Sequence, residues 1–439
     1  MRYAKLLLII PVFLSLTLSG AWAEEIIDWK QCVKEAKDQH PDLMSALEKV
    51  NQYRAAKEVT RSVMLPQITG NASEVTAKGA TFGSSAGSGQ SDVAVGGAKR
   101  PKTTYEYNIT GEQLLFDGFK SSYDLSGAER NIVSARYNYD VTSSNIRLRL
   151  KAAFVNLLAD QELVKVTEEI EARRKQNLDL VKLRYEGGRE HKGSLLSSEA
   201  DFAQAAYEVD QAKRNIYLSQ RRLTKELGRL SFTPMLANGG LEAGEKESLR
   251  PDFDNLARTT PLLRQLIAKK EAAKFGLKSA YADFFPQVYM NTSLGNTNVD
   301  AFPDKNEWSI GATLTIPFFD GGNRFAAVSQ AKAVLSAAVD DERSGRDGVI
   351  FTLSDTWTKL QDAVDNVTVQ WKFLYAAEER AKISRALYAI GLLSYDNWII
   401  IENNLVLAKK TYVFAEANAL IAEANWVQAK GGTLDYDKE

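Results

Sequence analysis

Cysteine is nearly missing from this sequence. Its 439 residues hold one, Cys32, so no disulfide can form within the chain. Histidine is scarce too: His40 and His191 are the only two, and with a lone cysteine they offer no ligand spacing of the kind a zinc site needs. Neither sign of charge dominates, with 55 basic against 56 acidic residues, which argues against nucleic acid or an acidic lipid surface as partner. The phosphate-cradling G-x-x-x-x-G-K-[ST] loop, the nucleophile elbow G-x-S-x-G and a G-x-G-x-x-G following a strand are all missing. Acid pairs such as Glu168-Glu169 and Asp340-Asp341 lie among lysines and arginines and read as solvated helix faces, and His191, in GGREHKGS, reads as a solvated loop residue. Nothing here asks for catalysis, a metal or a cofactor. Beyond Ala23 no apolar run is long enough to cross a bilayer as a helix; Trp398 to Ile401 is far too short. A chain of this kind enters a membrane only as strands of a closed barrel.

What is present begins with an export signal. Arg2 and Lys5 precede an apolar run from Leu6 to Leu18, followed by the small-residue site Ala21-Trp22-Ala23 and then Glu24 and Glu25. This predicts a secretory signal peptide over residues 1–23, with no cysteine at the cleavage site for a lipid anchor. Export without disulfides fits a bacterial periplasm or outer membrane.

The chain then repeats itself. Phe-Asp-Gly occurs at Phe116, Asp117, Gly118 and again at Phe319, Asp320, Gly321, an offset of 203 (320 − 117). The same offset carries Tyr185 onto Tyr388, Gly188 onto Gly391, Glu199 onto Glu402 and Gly228 onto Gly431. Upstream the offset is 220 (261 − 41), pairing Pro41 with Pro261 and Pro66 with Pro286. The difference falls between Pro66 and Phe116, where residues 78–101 are rich in glycine and serine and predict an enlarged flexible loop in the first copy. The expected organisation is residues 24–229 as a first repeat, 230–259 as a linker, 260–431 as a second repeat and 432–439 as a tail.

Each copy has the same order of parts: a helix ending at a proline, two alternating segments, Phe-Asp-Gly, a long helical run, a glycine-marked turn and a second helical run. Trp308, Ile310, Ala312, Leu314 and Ile316 alternate with Ser309, Gly311, Thr313 and Thr315, and Val288 to Leu294 behaves likewise, the period of a half-buried strand. Ile68 to Thr76 and Tyr105 to Phe116 are weaker versions. Phe116, Phe284, Phe285, Phe318 and Phe319 crowd one end of these strands, as a membrane-interface girdle or as core. Leu405, Ala408, Tyr412, Ala415, Ala419, Ala422, Trp426 and Ala429 are spaced alternately three and four apart, a heptad seam, and its counterpart runs from Phe202 to Leu223. No proline interrupts Phe119 to Gly187, which as one helix would be roughly 100 Å long at about 1.5 Å per residue. A conduit or a stalk uses a helix of that length.

Export signal, tandem copies, strand pairs leading through Phe-Asp-Gly into helical hairpins, and the paired tips YEGGREHKGSLL and YAIGLLSYDNWI resemble the TolC-like outer-membrane efflux channels over about residues 28–431. The resemblance implies a mainly α chain with a membrane β-barrel: a homotrimer in which four strands per chain contribute to a shared 12-stranded barrel in the Gram-negative outer membrane, above a long periplasmic α-helical barrel. Independently, four strands cannot close a barrel alone, so chains must share one. The resemblance further implies a passive exit duct for small molecules, with outer-membrane lipid around it and a periplasmic adaptor and inner-membrane pump as partners, and no cofactor or nucleic acid. The outer-membrane component of a type I protein-secretion system is an alternative, and a surface adhesive coiled coil is one of another class. The turn residues Arg184, Gly188, Ser194, Leu195, Gly391, Ser394, Asp396 and Asn397 would form the periplasmic tip that docks an adaptor; both Phe-Asp-Gly sets would mark the barrel-to-helix junction. This sequence departs from the family's tip pattern: Ser194 and Asn397 stand where aspartate is usual, placed to cap the following helices, and Leu387 replaces an arginine.

Overall fold

The computed structural model describes residues 24–77, 101–242, 249–298 and 307–436. The expected signal peptide, the enlarged loop up to residue 100 and the last three residues lie outside these. Within the described residues the chain forms two compact units, each drawing on both repeats: residues 1–40, 146–247 and 359–425, and residues 41–145, 248–358 and 426–439.

The elements are β1 (Glu25–Ile27), α1 (Trp29–Gln39), α2 (Pro41–Ser62), β2 (Gln67–Ala77), β3 (Lys102–Phe116), α3 (Lys120–Glu186), α4 (Lys192–Leu227), β4 (Met235–Ala237), α5 (Phe253–Ala257), α6 (Pro261–Ala282), β5 (Gln287–Asn298), β6 (Glu307–Thr315), α7 (Asn323–Ala389) and α8 (Tyr395–Ala429). The repeat is kept to the residue: α2 and α6 both have 22 residues and open on a proline, while α3 and α7 both have 67. Proline suits a first helical turn because its missing N–H would have no partner there.

In the second unit β2, β3, β5 and β6 form one antiparallel sheet in that order. β3 and β5 join the repeats, with Ile109 opposite Leu294 and Gly111 opposite Thr292, and a bulge between Leu114 and Phe116. The registers sort side chains by face. Ile68, Ile109, Leu294, Trp308 and Ile310 share one face; Thr69, Asn71, Asn108, Thr110, Ser293 and Ser309 share the other. Cross-strand hydrogen bonds lace the polar face, Asn71 to Asn108 at 2.9 Å and Ser293 to Ser309 at 2.8 Å. The apolar face is bare: Ile68 is 76% exposed and Trp308 74%. Phe318 and Phe319, both 89% exposed, are not core.

Asp117 and Asp320 do the same work at the two strand-to-helix turns. Asp117 accepts from the Ser121 amide at 2.8 Å and from its hydroxyl; Asp320 accepts from the Arg324 amide at 3.1 Å and the Arg324 Nε at 2.8 Å. Each carboxylate thus satisfies donors in the first turn of its helix, where the chain supplies no carbonyl. Gly118 and Gly321 both take left-handed φ, 67° and 69°. Their surroundings differ. A Cβ on Gly118 would lie 2.5 Å from Phe285 Cβ, at the α6–β5 corner of the other repeat, whereas one on Gly321 would meet open space.

In the first unit α3 carries the core, with Ile146, Leu150 and Leu157 fully buried. Val155 and Ala159 pack with Val413, Ala417 and Leu420 of α8. The heptad seam of α4 is observed as its one buried face, through Ala205, Val209, Ala212, Ser219 and Leu223. On α8 the seam is joined by a second buried line, Val413, Ala417, Leu420, Ala424 and Val427, so this helix is enclosed on two sides. Arg229 fastens the start of the chain by donating to Glu25 at 2.6 Å and to Glu35 at 2.7 Å. Among the described residues no helix is long and apolar enough to cross a membrane.

Candidate functional site

The two hairpin turns, α3–α4 and α7–α8, lie in the first unit. Both helices end in the same backbone motif. Gly188, at φ 68°, donates to Tyr185 O at 3.0 Å while Arg189 donates to Arg184 O at 2.8 Å; Gly391, at φ 84°, donates to Tyr388 O at 3.0 Å while Leu392 donates to Leu387 O at 2.9 Å. These are paired 5→2 and 6→1 Schellman bonds, which need a left-handed residue and so favour glycine.

The capping expectation is corrected here. α4 starts at Lys192, which makes Ser194 the third helical residue, and the cap is His191, whose Nδ1 accepts from the Ser194 amide at 3.2 Å. His191 is therefore a cap and not merely a solvated loop residue. Asn397 is likewise the third residue of α8; Ser394, whose carbonyl accepts from Trp398 N at 3.1 Å, holds the flanking position. Asp396 lies exposed in the first turn of α8, where a negative charge suits the helix dipole. Ser194 is buried and donates to Glu190 at 2.9 Å; Leu195 is half-buried against an aromatic cluster.

That cluster went unnoticed in the sequence. Tyr388 and Trp398 are fully buried and stacked, ring centroids 4.1 Å apart, with Tyr395 edge-on to Trp398 at 6.3 Å and Val181 beside them. Glu190 joins the two turns by accepting from the Tyr388 hydroxyl at 2.9 Å. Arg184 closes the clasp from the other side: it donates to Tyr388 O at 2.7 Å and its guanidinium sits 4.7 Å from the centre of the Tyr388 ring. Arg184 is thus turned towards the second hairpin. Burial raises the Glu190 carboxyl, but bonds from Tyr388, Ser194 and the His191 amide outweigh it and hold the carboxyl below its usual range. Burial, then the bond to Glu190, pushes the Tyr388 hydroxyl up, and burial pushes that of Tyr395 up to about 12.

Further along the same hairpins lies a polar joint. Arg173 Nε donates to Glu402, only 1% exposed, at 2.8 Å; Asn177 donates to Glu402 at 3.3 Å; Arg385 donates to Gln176 at 2.8 Å. The arrangement holds two helical hairpins together and leaves no reactive group in a cleft. Among the described residues no cluster of histidine, cysteine or acidic side chains suits a metal.

The family model described as outer membrane efflux protein matches residues 32–229 and 254–432, one stretch in each repeat. The chain is 22% identical over 282 residues to the outer membrane efflux protein BepC of Brucella suis biovar 1 (strain 1330), covering 63% of this chain and 61% of that protein. It is 22% identical over 402 residues to the outer membrane protein TolC of Vibrio cholerae serotype O1, covering 87% and 86%. The fold superposes on the outer-membrane channel OprN with a TM-score of 0.81 at 19% identity, over 92% of this chain and 90% of that one. With both repeats matched across most of its length, the chain belongs to the outer membrane efflux protein family.

Proposed function

We propose that this protein is the passive outer-membrane exit duct of a tripartite efflux system, assembled from three copies. The observation that carries this is the four-stranded sheet. One face is apolar and bare, the other is polar, and both edge strands, β2 and β6, have no partner among the described residues. In lipid an open edge leaves a row of unsatisfied N–H and C=O groups, so the edges must meet those of other copies. Two copies would give about eight strands and a lumen filled by side chains; three give about twelve and room for a channel. The bare apolar face then meets lipid, the polar face lines the lumen, and Phe318 and Phe319 fall at the interface where aromatic girdles sit.

In this reading the α3–α4 and α7–α8 turns are the periplasmic mouth. Gly188 and Gly391 shape it; Ser194, Leu195, Ser394, Asp396 and Asn397 present the surface for an adaptor fed by an inner-membrane pump; Arg184 braces it from within. Protein extracted from outer membranes in mild detergent should have the mass of three chains and should conduct ions in a planar bilayer. A stable monomer, or a trimer that does not conduct, would overturn the proposal.

A further inference from the structure

The repeat makes a joint inside one chain that it leaves unmade at its far side. In the first repeat the groove between α3 and α4 is filled. Thr167, Ile170, Arg174, Asn177, Ser198 and Ala205 are all buried there, and α8 lies against them, with Glu402 bonded to Arg173 and Asn177 and Lys410 bonded to Glu208 at 2.6 Å. Adding the repeat offset of 203 to those six positions gives Gln370, Phe373, Ala377, Arg380, Ile401 and Ala408. These six line an open groove of about 400 Å³ between α7 and α8, and Phe373 there is 63% exposed where its counterpart Ile170 is 4% exposed. The same groove is therefore full in one repeat and vacant in the other.

The charges say what fits the vacant one. Within the chain, Asn177 meets Glu402 and Gln176 meets Arg385. The counterparts of Asn177 and Gln176 are Arg380 and Glu379; those of Glu402 and Arg385 are Glu199 and Lys182. All four counterparts are exposed in the single chain. Placed as their counterparts are, they give two pairs of opposite sign. A chance surface would match like charges as often as unlike ones, and like charges in contact cost several kcal/mol.

We propose that α4 of a partner subunit occupies the α7–α8 groove, with Arg380 paired to Glu199 of the partner subunit and Glu379 paired to Lys182 of the partner subunit. This rests on the ring assembly proposed above and names its joint. A heterologous contact of this kind closes into a ring when the rotation allows. The joint within the chain is built on buried Glu402, the joint between chains on exposed charge, so the ring is weaker at its subunit boundaries than inside each subunit, and more sensitive to salt.

The test uses the full chain in outer membranes, with Arg380→Cys/Glu199→Cys and Glu379→Cys/Lys182→Cys treated with a short bis-maleimide. The native Cys32 is fully buried, its thiol pushed up to about 12 by burial, and will not compete. Each pair should give covalent trimers on a denaturing gel, and each single substitution none. Adding Glu199→Arg should depress cross-linking of the 379/182 pair, and Arg380→Glu on top should restore it. Intact trimers without covalent links overturn the joint while leaving the ring reading standing. Links that are insensitive to charge reversal overturn the ion pairing. Failure to assemble any trimer, with unsubstituted protein as control, overturns both.

Discussion

At the residue scale, the two tip glycines and Glu190 separate what a sequence discloses from what it hides. Gly188 and Gly391 were legible because a turn's backbone need is local: a left-handed φ selects glycine whatever lies nearby. Gly188 has open space around a built Cβ, so the objection to a side chain there is conformational and not steric. Gly188→Val and Gly391→Val should each cost about 1–2 kcal/mol at the helix end and abolish export while trimer levels in the outer membrane, measured by immunoblot, stay normal. The Glu190–Tyr388 bond spans 198 residues and has no local pattern, so it was invisible before folding brought the turns together. Its pH dependence has a definite sign. The folded Glu190 carboxyl is held below the ordinary 4.5, so its contribution is complete above that value and is lost as pH falls through the lower, folded one. Amide exchange at Gly391 and Leu392 should therefore accelerate below about pH 4.5 beyond the intrinsic trend. Glu190→Gln should show the faster exchange already at neutral pH; equal protection in both proteins would remove the clasp.

At the scale of elements, the strands, the long helices and their order were legible because period two, period three-four and proline position are all local signals. What escaped was burial on two sides. The seam of α8 was read as one stripe, yet the helix carries a second because it is packed from two directions, and only tertiary context decides that. The Phe-Asp-Gly turns show the same limit: the motif was plain, but its two copies sit in unlike surroundings. In the first, Phe119 holds a left-handed φ of 67°, where the second copy has Gly322. A bulky residue pays for that conformation, so Phe119→Gly should raise the thermal midpoint, by an amount set by about 1 kcal/mol of relieved strain less the lost edge contact with Phe116. Asp117→Ala should act in the opposite sense, costing about 1–2 kcal/mol as first-turn donors of α3 lose their acceptor. Paired thermal melts in detergent would read both.

At the scale of the whole molecule, the count of strands in one chain was legible and carried the argument for shared closure, since four cannot wrap a lumen. The surfaces that close the ring were not legible, because they become visible only when one repeat's filled groove is set beside the other's vacant one. The open edges of β2 and β6 also bear on inheritance. A chain whose β6 edge is broken, as by Ile310→Pro, keeps its β2 edge and can still be drawn into rings with intact chains, yet every ring that contains one has a seam that cannot zip. Co-expressed with the unaltered gene, such an allele should be dominant, depressing export well below the level expected from halving the number of good chains. A recessive allele would mean that damaged chains are sorted out before they meet their partners.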